Sequence, residues 1–168
     1  LYTAWCLIGQ FYDRNRGMGR EFVDKAVAGY TQLIKAFHKN PLARPKRIEG
    51  LSDYLNADEA QLRVGRLHSS VLMDPGKALP FFKTFKEYYP ASPHADTAES
   101  LGKVIEKNMD DDPAALLAYL KAEELRVAGK GQEAKGALEA LVKGSPGHPL
   151  SALAWMKIGD IQFYDEKN

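Results

Sequence analysis

Phe22 to Ala43 reads FVDKAVAGYTQLIKAFHKNPLA, and Asp74 to Ala95 reads DPGKALPFFKTFKEYYPASPHA. Laid over one another without a gap, these stretches put Lys25-Ala26 on Lys77-Ala78, Tyr30 on Phe82, Leu33 on Phe85, Phe37 on Tyr89 and Pro41 on Pro93. The shared apolar positions recur at spacings of three and four, which is one face of a helix. A third copy, GKGQEAKGALEALVKGSPGHPLS, puts Ala134 under Ala78, Leu138 under Phe82, Leu141 under Phe85 and Pro149 under Pro93. The distance is 52 residues from Ala26 to Ala78 and 56 from Ala78 to Ala134. One helix pair does not fill that length, so each period holds an extra helix.

Working outward, the periodic blocks predict helices over 1–14, 20–39, 43–54, 57–72, 76–89, 93–108, 113–128 and 131–144, with another from about 149. No stretch alternates at period two with the β-branched enrichment of strands. Between the blocks lie Asn15 to Gly19, Asp74-Pro75-Gly76, Asp110-Asp111-Asp112-Pro113 and Gly129-Lys130-Gly131. Pro and Gly end helices, and Asp before Pro suits an N-cap followed by the first helical position. The fold class expected is all-α.

Ahead of each copy stands a helix of a second kind. Trp5, Ile8, Gly9 and Tyr12 open the chain, Gly65 and Gly102 mark later examples, and Trp155, Ile158 and Gly159 echo the first. Together these residues resemble the tetratricopeptide repeat: W-x2-L-G-x2-Y in one helix, A-x3-F in the next, and a closing Pro, at about 34 residues per unit. The resemblance implies a right-handed superhelical array of antiparallel helix pairs, about eight to nine helices here, with 43–54 and 93–108 intervening. Trp5, Gly9, Tyr12, Ala26, Gly65, Ala78, Gly102, Ala134, Trp155 and Gly159 become its structural positions. Gly is expected where helix backbones come close, with Trp5 and Trp155 filling the space beside it and Ile8 and Ile158 buried. Lys121 stands where another Gly is expected, so that helix pair is either spaced more loosely or Lys121 faces out.

The linker YYPASPHA and its echo GSPGHP resemble those joining repeats in bacterial cell-envelope scaffold proteins of this family. That likeness implies a periplasmic or membrane-anchored setting, with a cytoplasmic one as the alternative. Residues 1–168 read as a single helical-repeat domain, expected to be a fragment of a longer chain because it begins at Leu1 without Met and stops at Asn168 inside a periodic segment.

Composition narrows the function classes. Lys plus Arg number 23 and Asp plus Glu 22, so no net field recruits nucleic acid or an anionic surface. No apolar run reaches the ~20 residues of a membrane span. Cys6 stands alone, next to Trp5 on an apolar helix, and reads as a packed thiol. His38, His68, His94 and His148 lack the spacing of a metal site. Asp110 to Asp112 lack the Gly and Glu of a calcium loop and read as a helix junction capped by Asp112. No catalytic residue, metal or cofactor is assigned, and the chain reads as non-enzymatic.

The resemblance further implies a groove lined by first-helix side chains that do not pack between repeats. Carried over, these are Gln10, Asp13 and Arg14, then Arg66 and Ser69, with Lys103 added by the helix at 93–108; Thr3, Cys6, Glu59, Leu62, Ser70, Asp96 and Lys107 lie on the same faces. Such a groove suits an extended peptide or protein partner. A spacer that self-associates through its last repeat, exposing Trp155 and Phe163, and an accessory domain of an enzyme or glycan-binding protein are the alternative readings.

Overall fold

The computed structural model describes residues 1–39 and 56–165. Among them the regular structure is helical throughout, with no strand. The helices are α1 (Tyr2–Arg14), α2 (Arg20–Lys39), α3 (Ala57–Arg66), α4 (Pro75–Lys83), α5 (Phe85–Tyr88), α6 (Ala95–Asn108), α7 (Pro113–Val127), α8 (Gly131–Gly144) and α9 (Pro149–Asp165). The helix expected at 43–54 lies outside the described residues.

Their ends follow the chemistry of the punctuators. The Asp74 side chain accepts from the Lys77 amide at 3.0 Å and that of Asp112 from the Ala115 amide at 2.9 Å, each with Pro at the next position. Two orphan donors of the helix start are thereby satisfied. Glu59 closes the start of α3 by accepting from the Asn56 amide at 2.9 Å. Gly129 ends α7 at φ +75°, in the left-handed region that glycine enters without a Cβ penalty.

Two expected helices are interrupted. The segment 57–72 is α-helical only to Arg66 and widens over Leu67–Val71, where the Leu72 amide reaches the Leu67 carbonyl five residues back. The hydroxyls of Ser69 and Ser70 both donate to the Arg66 carbonyl, at 3.2 and 2.7 Å, and so compete with the backbone for it. The segment 76–89 breaks at Thr84 between α4 and α5. Pro80 inside α4 removes a backbone donor, and the Thr84 hydroxyl takes the Pro80 carbonyl at 2.9 Å.

The chain forms two compact units, Leu1–Lys103 and Val104–Asn168.

In the first unit α1 packs on α2, α2 on α3 and α3 on α4. The Tyr12 ring meets Phe22 while Gly9 meets Tyr30, so the first pair is antiparallel. Gly65 beside Phe82 and Gln61 bonded to Thr84 give the same sense for α3 and α4. The crossings are close because they are glycine. A Cβ at Gly9 would clash with the Cδ1–Cε1 edge of the Tyr30 ring, and one at Gly29 would lie 2.8 Å from the Gly9 nitrogen. At Gly65 it would lie 2.7 Å from the Phe82 ring, and at Gly102 3.3 Å from the Phe82 Cβ. Phe82 therefore sits between α3 and α6. The gap beside Gly9 is filled by Tyr30 rather than Trp5, which is half-buried at the core's edge with Tyr12. Ile8 is 37% exposed instead of buried.

In the second unit α7 packs on α8, and α9 on both. Lys121 faces solvent, and Leu120 is buried next to it. The aligned second-helix positions share one fate across the chain: Ala26, Ala78 and Ala134 are fully buried, as are Tyr30, Phe82 and Leu138 to within 2%.

Gly9→Leu should lower the stability of the first unit by about 1–3 kcal/mol, because the ring and backbone opposite have no room to give. Urea unfolding followed by circular dichroism reads the shift; an unchanged midpoint would place Gly9 away from the crossing.

Candidate recognition surface

The residues expected to line a groove divide sharply by burial. Asp13, at the end of α1, is buried and accepts four hydrogen bonds. Arg63 of α3 donates from Nε at 2.5 Å and Nη2 at 2.9 Å, Arg16 from Nη1 at 2.9 Å, and the Tyr30 hydroxyl at 3.2 Å. A buried carboxylate is tolerated only when paired and bonded in this way. It ties α1, the turn after it, α2 and α3 to one point. Burial, with the Asp13 carboxylate adding to it, pushes the Tyr30 hydroxyl far above its usual range, so it stays a donor.

Gln10 and Ser69 are buried as well, and the Ser69 hydroxyl is turned back to the helix backbone. Of the neighbouring positions, Cys6 is fully buried as a free thiol, while Leu62 and Ser70 are buried. Glu59 serves the α3 cap and Thr3 is half-buried. Gln10, Asp13 and Ser69, expected in the groove, are thus buried, the Asp13 carboxylate held by Arg63, Arg16 and Tyr30 and the Ser69 hydroxyl by the Arg66 carbonyl.

Arg14, Lys103 and Lys107 are exposed, and Arg66 is partly so. Lys103 bonds Glu99 at 2.5 Å, and Glu99 also receives Lys86 at 2.8 Å. The two ammonium groups, Lys103 first, hold the Glu99 carboxyl down to about 2. Asp96, almost wholly exposed, stands 3.9 Å from Lys86. These are solvated pairs, worth little to stability and free to exchange for contacts with a partner.

The four histidines have local structural surroundings. The His38 ring lies 4.3 Å from Tyr88 and its Nε2 is 3.3 Å from the Tyr89 hydroxyl. His68 stacks on Phe81 at 5.8 Å. His94 faces Glu59 at 3.8 Å, and His148 Nδ1 accepts from the Leu150 amide at 3.1 Å, capping α9. Among the described residues no group of three or more His, Cys, Asp or Glu is placed to hold a metal ion, and no helix is long and apolar enough to cross a membrane.

Sequence reasoning missed Arg63 and Gly29. Arg63 carries no signal, being an ordinary charge in the ADEAQLRVGR helix. Gly29 does carry one, as an interior helix glycine that costs stability unless something approaches it closely.

No protein-family model, curated protein or solved structure matches the chain.

Two outcomes follow. Asp13→Ala should cost about 3 kcal/mol, because Arg63 is left partly buried without its anion, whereas Lys103→Ala should shift the unfolding midpoint hardly at all. Burial also holds His68 and His38 below their ordinary 6.5. Below pH 6.5 the unfolded chain takes up these protons before the folded one does. The stability they contribute is therefore complete above 6.5 and is lost as pH falls from there through the depressed folded values. His68→Gln should flatten the stability–pH slope in that window, and an unaltered slope would remove His68 from it.

Proposed function

We propose that this chain is a non-enzymatic scaffold of the tetratricopeptide-repeat kind that binds a protein or peptide partner in the bacterial cell envelope. One observation carries the reading. The aligned residues Tyr30 and Phe82 each lie over the glycine of the preceding helix, Gly9 and Gly65 respectively. A repeat that recurs in sequence and in packing geometry is what a stacked helical array requires. The consecutive packing within each unit supports it, as does the closing Pro of each copy.

Within this reading the contact residues are the cations near α1, α3 and α6: Arg14 and Lys103, which are exposed, and Arg66, which is partly so. They suit a partner segment with acidic side chains or backbone carbonyls. Gln10, Asp13 and Ser69 support these helices from beneath. A spacer role is favoured by a separate feature, the exposed apolar side of α9.

The chain, immobilised and challenged with envelope extract, should retain a specific protein. Arg14→Glu combined with Lys103→Glu should weaken that retention at least roughly tenfold through charge reversal at the rim. Capture that is indifferent to both substitutions would end the groove assignment.

A further inference from the structure

The connection from α3 to α4 leaves regular backbone twice. Leu67–Val71 is wound wide, the Leu72 amide donating at 2.8 Å to the Leu67 carbonyl five residues back. Met73 then lies at φ +54°, in the left-handed region, and is the one non-glycine residue with positive φ among the described residues. Single wide turns recur at functional sites, and strained residues gather at switches.

His68 joins the two irregularities. It stands in the widened turn, and its ring stacks on Phe81 of α4 with centroids 5.8 Å apart and planes 17° from parallel. Its carbonyl accepts from the Asp74 amide at 2.8 Å, just beyond Met73, so the ring and the strained backbone are tied together. Its Nδ1 is buried and has no hydrogen-bond partner among the described residues. A neutral imidazole can occupy that seat. An imidazolium would bring to it a charge and a second N–H with nothing to receive it.

The elements packed on this turn are α2 and α4, and the charged groups they direct at the ring are Asp24 from α2, with Asp74 and Lys77 from the start of α4. Burial against Phe81 disfavours the charged ring more than these groups favour it; Asp74 and Asp24 attract it and Lys77 repels it. Both carboxylates reach water, their side chains being 57% exposed at Asp24 and 37% at Asp74. A charged ring therefore loses by staying on Phe81 and gains by turning toward them.

We propose that His68 makes the α3–α4 connection an acid-opened hinge. On taking up a proton the ring leaves Phe81 for the exposed carboxylates of Asp24 and Asp74, and the Leu67–Met73 backbone loosens where α4 docks on α3. The same side chain then has different partners in two states, which is what a switch needs. The closed form takes the proton less readily than a ring in water, so it prevails above pH 6.5 and opening grows as pH falls below that value. The opening is local, because Tyr30, Leu33 and Val64 remain buried in the core that α2 and α3 share. It is independent of the partner-binding reading.

Amide hydrogen exchange of the 168-residue chain, followed by NMR at about pH 7.5 and pH 5.5 and corrected for intrinsic rates, tests the hinge. The Leu72 and Asp74 amides report the turn, and those of Tyr30 and Leu33 report unfolding of the whole unit. Leu72 and Asp74 should exchange faster than the core pair, with rates that stay flat in dilute urea, and should speed up at least roughly threefold at the lower pH. His68→Gln should abolish that acceleration. The proposal is overturned if Leu72 and Asp74 exchange only together with the core pair, if their local exchange ignores pH, or if His68→Gln leaves the acceleration in place. Should that variant fail to fold, the wild-type ring decides: nuclear Overhauser contacts between His68 and Phe81 should vanish as the imidazole titrates, and contacts that persist in the protonated form refute the hinge.

Discussion

The first unit depends on backbones brought nearer than side chains allow. At the crossing of α1 and α2 two glycines face one another, and the Tyr30 ring packs too close to Gly9 to leave room for a Cβ there. Tyr30, Leu33 and Ala26 are then drawn into full burial, and Val64 of α3 and Leu67 just after it close over the same core. The α3–α4 crossing repeats the device with Gly65 and Phe82, and Phe82 serves a second glycine, Gly102, on its other side. Dense packing of this sort leaves little tolerance for added volume.

Polar chemistry follows from the same crossing. Tyr30 brings a hydroxyl into the interior, and a buried hydroxyl needs a partner; Asp13 accepts it and in turn requires Arg63 and Arg16. In the second copy the ring is Phe82, with no hydroxyl to satisfy. The residue 56 places after Asp13 is Ser69, whose hydroxyl returns to the helix backbone and helps widen it. One atom on one ring thus separates a buried charge cluster from a local helix distortion.

In the second unit the position of α7 that aligns with Gly65 is not glycine. Lys121 replaces it and faces water, while Leu120 and Leu138 supply the buried contact. Tyr119 is buried near Glu123, and burial raises its hydroxyl well above the usual range; Glu123 meanwhile holds Arg126 at 3.0 Å. A glycine stands again in α9 at position 159, where a Cβ would meet nothing within 4 Å among the described residues.

The helices themselves were legible in the sequence, because three-and-four spacing and Asp-Pro or Gly punctuation act within a few residues of chain. The buried identity of Ala26, Ala78 and Ala134 was legible for the same reason, since copied positions inherit copied surroundings. The interruptions at Leu67–Val71 and Thr84 were not, because they arise from serine and threonine hydroxyls choosing between water and a carbonyl, a choice made only once the helix has neighbours. The burial of Gln10, Asp13 and Ser69 was not legible, because periodicity within one helix does not show which side its neighbours will cover. Local periodicity determines where this chain is helical; which polar groups stay exposed is decided by long-range pairs such as Asp13 and Arg63, fifty residues apart, whose attraction exists only after the helices have packed.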